Sequence, residues 1–294
     1  MNWRRHLDRR VSSRDCGGFT RTELMAVMAS VAVLALLILP LIAGSDTNRT
    51  VAVCLNNHRR LVQSWLLYAD DSEGRVANNM GLDFVQSSIQ SGRFDNWANN
   101  VMTWAVGSSV IDSSNTNSEW AAKGPMVPYG RGAIDIYRCP ADGYLSPAQR
   151  QRGWSHRLRS VSMNAFFGRH TSGFGNDPTR QEMNYFFPNY RQFIKLSSVP
   201  DPVNRWVFIE EHSDSINDGY FLNTPETVTS WGDVPSSLHD GAVTLSFADG
   251  HSDVHRWTST RTILPVRYMF VQGSLDQAGR GDYRWLMDRT ALPR

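Results

Sequence analysis

Gly17-Gly18-Phe19-Thr20-Arg21-Thr22-Glu23 runs directly into LMAVMASVAVLALLILPLIA over residues 24–43, and this stretch decides how the chain is read. Leu24 to Ala43 contains no charged residue. About 20 apolar residues are enough for a helix to cross a hydrocarbon core of roughly 30 Å, so the run predicts a transmembrane helix. A buried core helix of this length would ordinarily keep a polar face. The run is too long for the apolar core of a secretory signal, and Gly44-Ser45-Asp46 after it is no clear small-residue cleavage site. Arg4, Arg5, Arg9, Arg10 and Arg14 precede the run, against Asp8 and Asp15. The positive-inside rule therefore puts residues 1–18 in the cytoplasm and the body across the membrane.

The chain of 294 residues has a net charge of +2, and its first 18 residues hold more than all of that excess. The remainder is close to neutral, which gives no electrostatic footprint for nucleic acid. A hydrophobic share of 41% with ten Trp predicts a folded body with a substantial core. At the edge of a membrane helix, Glu23 is costly without a partner. Cleavage after Gly18 would supply one, a free α-amine on Phe19, and a carboxylate in the first turn also suits the helix dipole.

Gly18-Phe19-Thr20-x-x-Glu23 before a long apolar helix resembles the class III signal of type IV prepilins and type II secretion pseudopilins. The resemblance implies cleavage between Gly18 and Phe19 by a prepilin peptidase, then N-methylation of Phe19. It implies that Glu23 pairs with the N-terminal amine of a neighbouring subunit, and Pro40 stands where many pilins carry a kinking proline. A second resemblance covers most of the chain. It rests on Cys54-Leu55-Asn56-Asn57, Tyr137-Arg138-Cys139-Pro140, Ser162-Met163-Asn164, His239-Asp240-Gly241 and Phe247-Ala248-Asp249-Gly250-His251, with a tail around Arg284-Trp285-Leu286. These look like the large prepilin-like proteins with a C-terminal H-x-DG hairpin found in planctomycetes and verrucomicrobia.

After the span, Val51, Cys54, Leu55, Leu61, Val62, Trp65, Leu66 and Tyr68 recur at helical spacing, with Asn56, Asn57, Arg59, Arg60 and Gln63 between them. This predicts an amphipathic helix ending at Asp70-Asp71-Ser72-Glu73-Gly74, with Gly74 as cap. Residues 75–117 read as loops and short elements. Ile134–Cys139, Val161–Phe167 and Trp206–Ile209 read as strands. Ala242–Trp257 reads as a hairpin on a two-residue Asp249-Gly250 turn. That register pairs Leu245 with Val254 and groups Val243, Leu245, Phe247 and Val254 on a face against the helix.

The expected fold is α+β and pilin-like, a long N-terminal helix with a membrane-spanning first half packed on an antiparallel sheet with long loops. The expected segments are a cleaved leader (1–18), a transmembrane helix (19–43), a helical spine (44–72), a periplasmic body ending in a β-hairpin (73–257) and a C-terminal extension (258–294). Cleavage after Gly18 removes Cys16 and leaves Cys54 and Cys139, which in an oxidising periplasm suggest a disulfide. The alternative is two buried, unlinked thiols.

His251-x-Asp253-x-His255 puts imidazoles and a carboxylate on one strand face, but i and i+4 on a strand lie ~13 Å apart, too far for both histidines to hold one ion. His251 with Asp253, or His239 with His251, is the easier pair, and a solvated polar face is the simpler reading. The Asp95–Asn100 and Asp112–Asn117 loops are candidates for calcium, although neither has EF-hand spacing. Glu210-Glu211-His212 could do acid/base chemistry, yet reads more simply as a strand end meeting solvent. No nucleophile with its base is visible, so the chain is read as no enzyme, with no required cofactor or metal. The leading expectation is a structural pseudopilin of the inner membrane, single-pass, assembled into a type II secretion or type IV pilus-like fibre. Its expected partners are prepilin peptidase, other pseudopilin subunits and the cytoplasmic membrane. The alternative is a membrane-tethered binding module for polysaccharide or protein, supported by Trp97, Trp104, Trp120 and Trp231 in polar loops.

Overall fold

The computed structural model describes residues 20–42, 46–170, 182–226, 229–271 and 273–294. The leader (1–18) with the processing residues Gly18 and Phe19 lies outside them. The chain divides into two compact units, Met1–Asp46 and Thr47–Arg294.

The first unit holds helix α1 (Arg21–Ile42). Its start is a reciprocal capping box: Thr20 N donates to Glu23 Oε2 at 2.9 Å, and Glu23 N donates to Thr20 Oγ1 at 3.3 Å. Among the described residues no helix is long and apolar enough to cross a membrane. This corrects the expected transmembrane helix and, with it, the single-pass inner-membrane placement. Arg21 and Glu23 occupy the first turn of α1, and within it the Ser30 hydroxyl donates to Ala26 O at 2.8 Å.

The second unit opens with α2 (Asp46–Asp71). Cys54, Leu61, Val62 and Trp65 are buried along one stripe, as the periodicity predicts. Glu73 and Gly74 take positive φ, and Gly74 N donates back to Ala69 O at 2.8 Å, which ends the helix where expected. Short helices follow: α3 (Leu82–Gln90), α4 (Val110–Ser114), α5 (Ser118–Ala122) and α6 (Pro147–Gln151). The last carries a full capping box on Ser146 and Gln149. Ile134–Cys139 is not a strand. Tyr137 N and Arg138 N bond to Ile134 O and Asp135 O at 3.2 Å, so the segment closes its own hydrogen bonds as a 3-10 turn.

The sheet has five strands: β1 (Val161–Asn164), β2 (Trp206–Glu210), β3 (Tyr220–Phe221), β4 (Ala242–Phe247) and β5 (Ser252–Arg256). Their order is β3-β1-β2-β4-β5, with β1 and β3 parallel and every other pair antiparallel. The antiparallel, pilin-like expectation is thus replaced by an α+β body on a mixed sheet. Helix α7 (Gln277–Met287) buries Tyr283, Leu286 and Met287, so the C-terminal segment belongs to the core.

The β4–β5 hairpin is present, but its register is one residue off the expected one. Leu245 pairs with Asp253 and Thr244 with Val254. Phe247 N donates to His251 O and Gly250 N to Phe247 O, each at 2.9 Å, so the loop is Ala248-Asp249-Gly250. Gly250 at φ +97° supplies the left-handed residue such a three-residue loop needs. A one-residue slip moves every β5 side chain to the other face. Ser252, on the Thr244 and Ser246 face, donates to Leu55 O of α2 at 3.0 Å. His255, paired with Val243, stacks on Trp285 of α7 at 3.4 Å. The hydroxyl face of β4 therefore turns to α2, and its aliphatic face turns to α7.

Candidate functional site

Two places gather chemistry-bearing side chains. The first is a sealed centre between α2 and the sheet. His239-Asp240-Gly241 is a tight turn: His239 and Ala242 exchange backbone hydrogen bonds at 3.2 and 3.3 Å, with Asp240 at φ +54° and Gly241 at φ +80°. The turn starts β4 and aims His239 inward, where it is buried. There His239 Nε2 lies 3.0 Å from Glu210 Oε2 and 3.4 Å from Cys139 Sγ. Thr244 N donates to the same Glu210 oxygen at 3.1 Å. Burial alone would raise the Glu210 pKa, but the His239 hydrogen bond and charge outweigh it and hold the carboxyl below its ordinary value.

Cys139 is joined to Cys54 of α2 by a disulfide with Cα atoms 5.4 Å apart, closing a separation of 85 residues. A loop of that length gives about 4–5 kcal/mol of stabilisation in the chain-entropy account. Cys54 Sγ, Cys139 Sγ, a Glu210 oxygen and a His239 nitrogen all lie within 4.8 Å of one another, and all four residues are buried. His58 sits one helical turn after Cys54, is buried, and feels both Glu210 and His239. Burial lowers its pKa to about 4.

The other sequence-derived residues do not join this centre. Asp249 and His251 bond each other at 2.6 Å on the hairpin loop, and the His251 ring stacks on Phe247 at 4.3 Å. His251 and His239 thus stand at opposite ends of β4, and His255 is engaged by Trp285. Glu210-Glu211-His212 does not meet solvent, since all three are buried. Glu211 accepts from Ser162 Oγ at 2.5 Å and Ser215 Oγ at 2.7 Å, and His212 Nε2 reaches Leu264 O at 2.9 Å. In the two calcium candidate loops the side chains bind the protein itself. Asn96 Oδ1 accepts from Met80 N at 2.8 Å, Asn100 Oδ1 from Arg159 Nε at 2.9 Å, and Asp112 Oδ1 from Thr103 Oγ1 at 2.9 Å.

The second place is an open cleft of about 560 Å³ beside the β3 edge. Phe84, Tyr185, Phe186, Tyr220 and Phe270 line it, with His170, Asp83, Asp218 and Asp233 among them. The His170 ring meets those of Tyr185 and Tyr220 at 4.6 Å each. Burial raises Asp218 to about 6 and, with Glu211 nearby, pushes Asp233 well above its ordinary value. Tyr220 N donates to Asp218 at 2.9 Å and Leu222 N to Asp233 at 2.6 Å, which holds one oxygen of each. Of the tryptophans expected to face a ligand, Trp97 and Trp231 are fully buried core residues. Trp104 is covered by Arg157 at 3.9 Å.

Sequence reasoning passed over Glu210 as the partner of His239, and over the cleft. His58 was legible, because residues 54, 58, 61 and 65 continue one helical stripe. The cleft was not, because its residues come from six separate segments of the chain. Comparison with protein-family models, with curated proteins and with solved structures finds no match to this chain.

Proposed function

We propose that the chain is a structural, prepilin-like subunit that assembles with other subunits through α1 after processing by a prepilin peptidase. The observation that carries this reading is the surface of α1. Leu24, Met25, Met28, Val31 and Leu34 are each more than half exposed, on a helix whose charged residues sit in its first turn. A contiguous apolar surface of this kind marks an interaction site. The sealing of Glu210, Glu211 and His212 in the core supports a structural over a catalytic role. The role of Glu23 separates by substitution. Glu23→Gln keeps a capping box and removes the charge, whereas Glu23→Ala removes both. Pairing with a neighbour's amine requires that Glu23→Gln, like Glu23→Ala, loses higher-order assembly in sedimentation and electron microscopy. A processed wild-type chain that stays monomeric sinks the subunit reading.

The cleft favours a second reading, a binding module for polysaccharide. Flat rings beside buried carboxyls suit the apolar faces and hydroxyls of a sugar, in a pocket of ordinary ligand size. Calorimetric titration with neutral oligosaccharides tests it. Heat that Phe186→Ala abolishes supports the module, and silence across glycan classes removes it.

A further inference from the structure

The buried centre between α2 and the sheet contains more donor chemistry than a disulfide needs. Three ring nitrogens there, Nδ1 of His239 and both nitrogens of His58, are buried without a hydrogen-bond partner among the described residues. Buried polar groups normally have partners, so these orphans mark the centre as incompletely satisfied, and four donor atoms of Cys54, Cys139, Glu210 and His239 lie within 4.8 Å of one another beside them. The four donor atoms come from two thiols, one carboxylate and one imidazole, a mixture that matches a tetrahedral zinc-class ion. With metal–sulfur bonds of about 2.3 Å and metal–nitrogen or metal–oxygen bonds of about 2.0–2.2 Å, tetrahedral edges run about 3.4–3.8 Å. The Cys139 Sγ–His239 Nε2 separation is already 3.4 Å and the Glu210–His239 contact 3.0 Å. The two sulfurs have only to part, and the Cα separation of 5.4 Å leaves that to side-chain rotation.

We propose that reduction of the Cys54–Cys139 disulfide converts this centre into a zinc-class metal site ligated by Cys54, Cys139, Glu210 and His239. A dithiol reductant supplies the two electrons and two protons. The sulfur–sulfur bond breaks, two S–H bonds form, and the reductant leaves as its own disulfide. Ion binding then displaces one proton from each thiol as two sulfur–metal bonds form. His239 gives up the Nε2 proton that it donates to Glu210 and carries its proton on Nδ1 instead, which frees the Nε2 electron pair for the ion. The oxidised and metal-bound states exclude one another, because both use the same sulfur atoms.

The test is a cobalt(II) titration of the purified full chain, reduced with a phosphine under anaerobic conditions, followed by zinc. The reduced chain is expected to take up about one cobalt ion with sulfur-to-metal charge-transfer absorption and the intense visible bands of tetrahedral cobalt. Zinc then displaces the cobalt and shields both thiols from alkylation. The oxidised chain shows none of this. Glu210→Gln lowers the affinity about 10–100-fold, and Cys54→Ser with Cys139→Ser removes the absorption. If reduction unfolds the chain, zinc restores its far-ultraviolet circular dichroism. A reduced chain whose thiols stay reactive in zinc, or whose fold zinc fails to restore, overturns the proposal. So does cobalt absorption that survives loss of both cysteines.

Discussion

Glu210 Oε2 accepts a hydrogen bond from His239 Nε2 at 3.0 Å, with both side chains closed off from water. The pair ties the end of β2 to the turn that begins β4, next to the disulfide that ties α2 to the body. Desolvation of both groups has already been spent in the fold, so the pair is worth most when one member is removed. His239→Leu leaves an uncompensated buried carboxylate and is expected to cost about 3–5 kcal/mol in denaturant unfolding. Glu210→Gln keeps an acceptor and is expected to cost about 1–3 kcal/mol. Equal losses for the two substitutions would mean that the charge pair is not what matters here.

Glu211 makes stability depend on pH in a direction unusual for a carboxylate. Burial raises its pKa from 4.5 to about 7, against Ser162, Ser215 and Arg159, which lower it. The folded state therefore binds more protons than the unfolded state between those values. Its contribution is present below about pH 4.5 and is lost as the pH rises through about 7. Relative to the wild type, Glu211→Gln is expected to gain on the order of 3 kcal/mol across that window. Parallel unfolding curves at every pH would show that Glu211 titrates normally.

His58 acts on the acid side with the opposite sign. Burial depresses its pKa from 6.5 to about 4, so the unfolded chain takes up the proton first as pH falls. Stability is complete above about pH 6.5 and is lost towards pH 4. His58→Leu removes a buried imidazole that has no hydrogen-bond partner among the described residues and should flatten this acid limb by an amount on the order of 3 kcal/mol. Thermal melts of the oxidised chain between pH 4 and 7 read the difference directly.

Gly168 is held at φ +74°, and a Cβ there would collide with the Ala77 carbonyl oxygen and stand 2.9 Å from Asn79 N. Both are backbone atoms that cannot rotate away. Gly168→Ala is expected to lose about 2–4 kcal/mol. At Gly250, where φ is +97°, the nearest atom is Leu66 Cδ1 at 3.2 Å, the end of a side chain that can move. Gly250→Ala should therefore lose about 1–2 kcal/mol.

Elements whose pattern is local were legible in the sequence. The stripe from Cys54 to Trp65, the Gly74 stop, the β2 run and the existence of the β4–β5 hairpin all follow from periodicity and turn chemistry, which act over a few residues. The Cys54–Cys139 disulfide was one of two alternatives legible in the sequence, and the fold decided it by bringing the two Cα atoms to 5.4 Å. The tertiary structure alone decided the hairpin register, because a two-residue and a three-residue loop share the same Asp-Gly signal and only packing separates them. It decided that β1 takes β3 as a parallel edge, and that Ile134–Cys139 closes on itself as a turn. It also decided that Glu210 and His239, 29 residues apart, meet in one dry centre with Cys139. Such meetings depend on which faces of distant segments are buried together, and no pattern within a single segment encodes that.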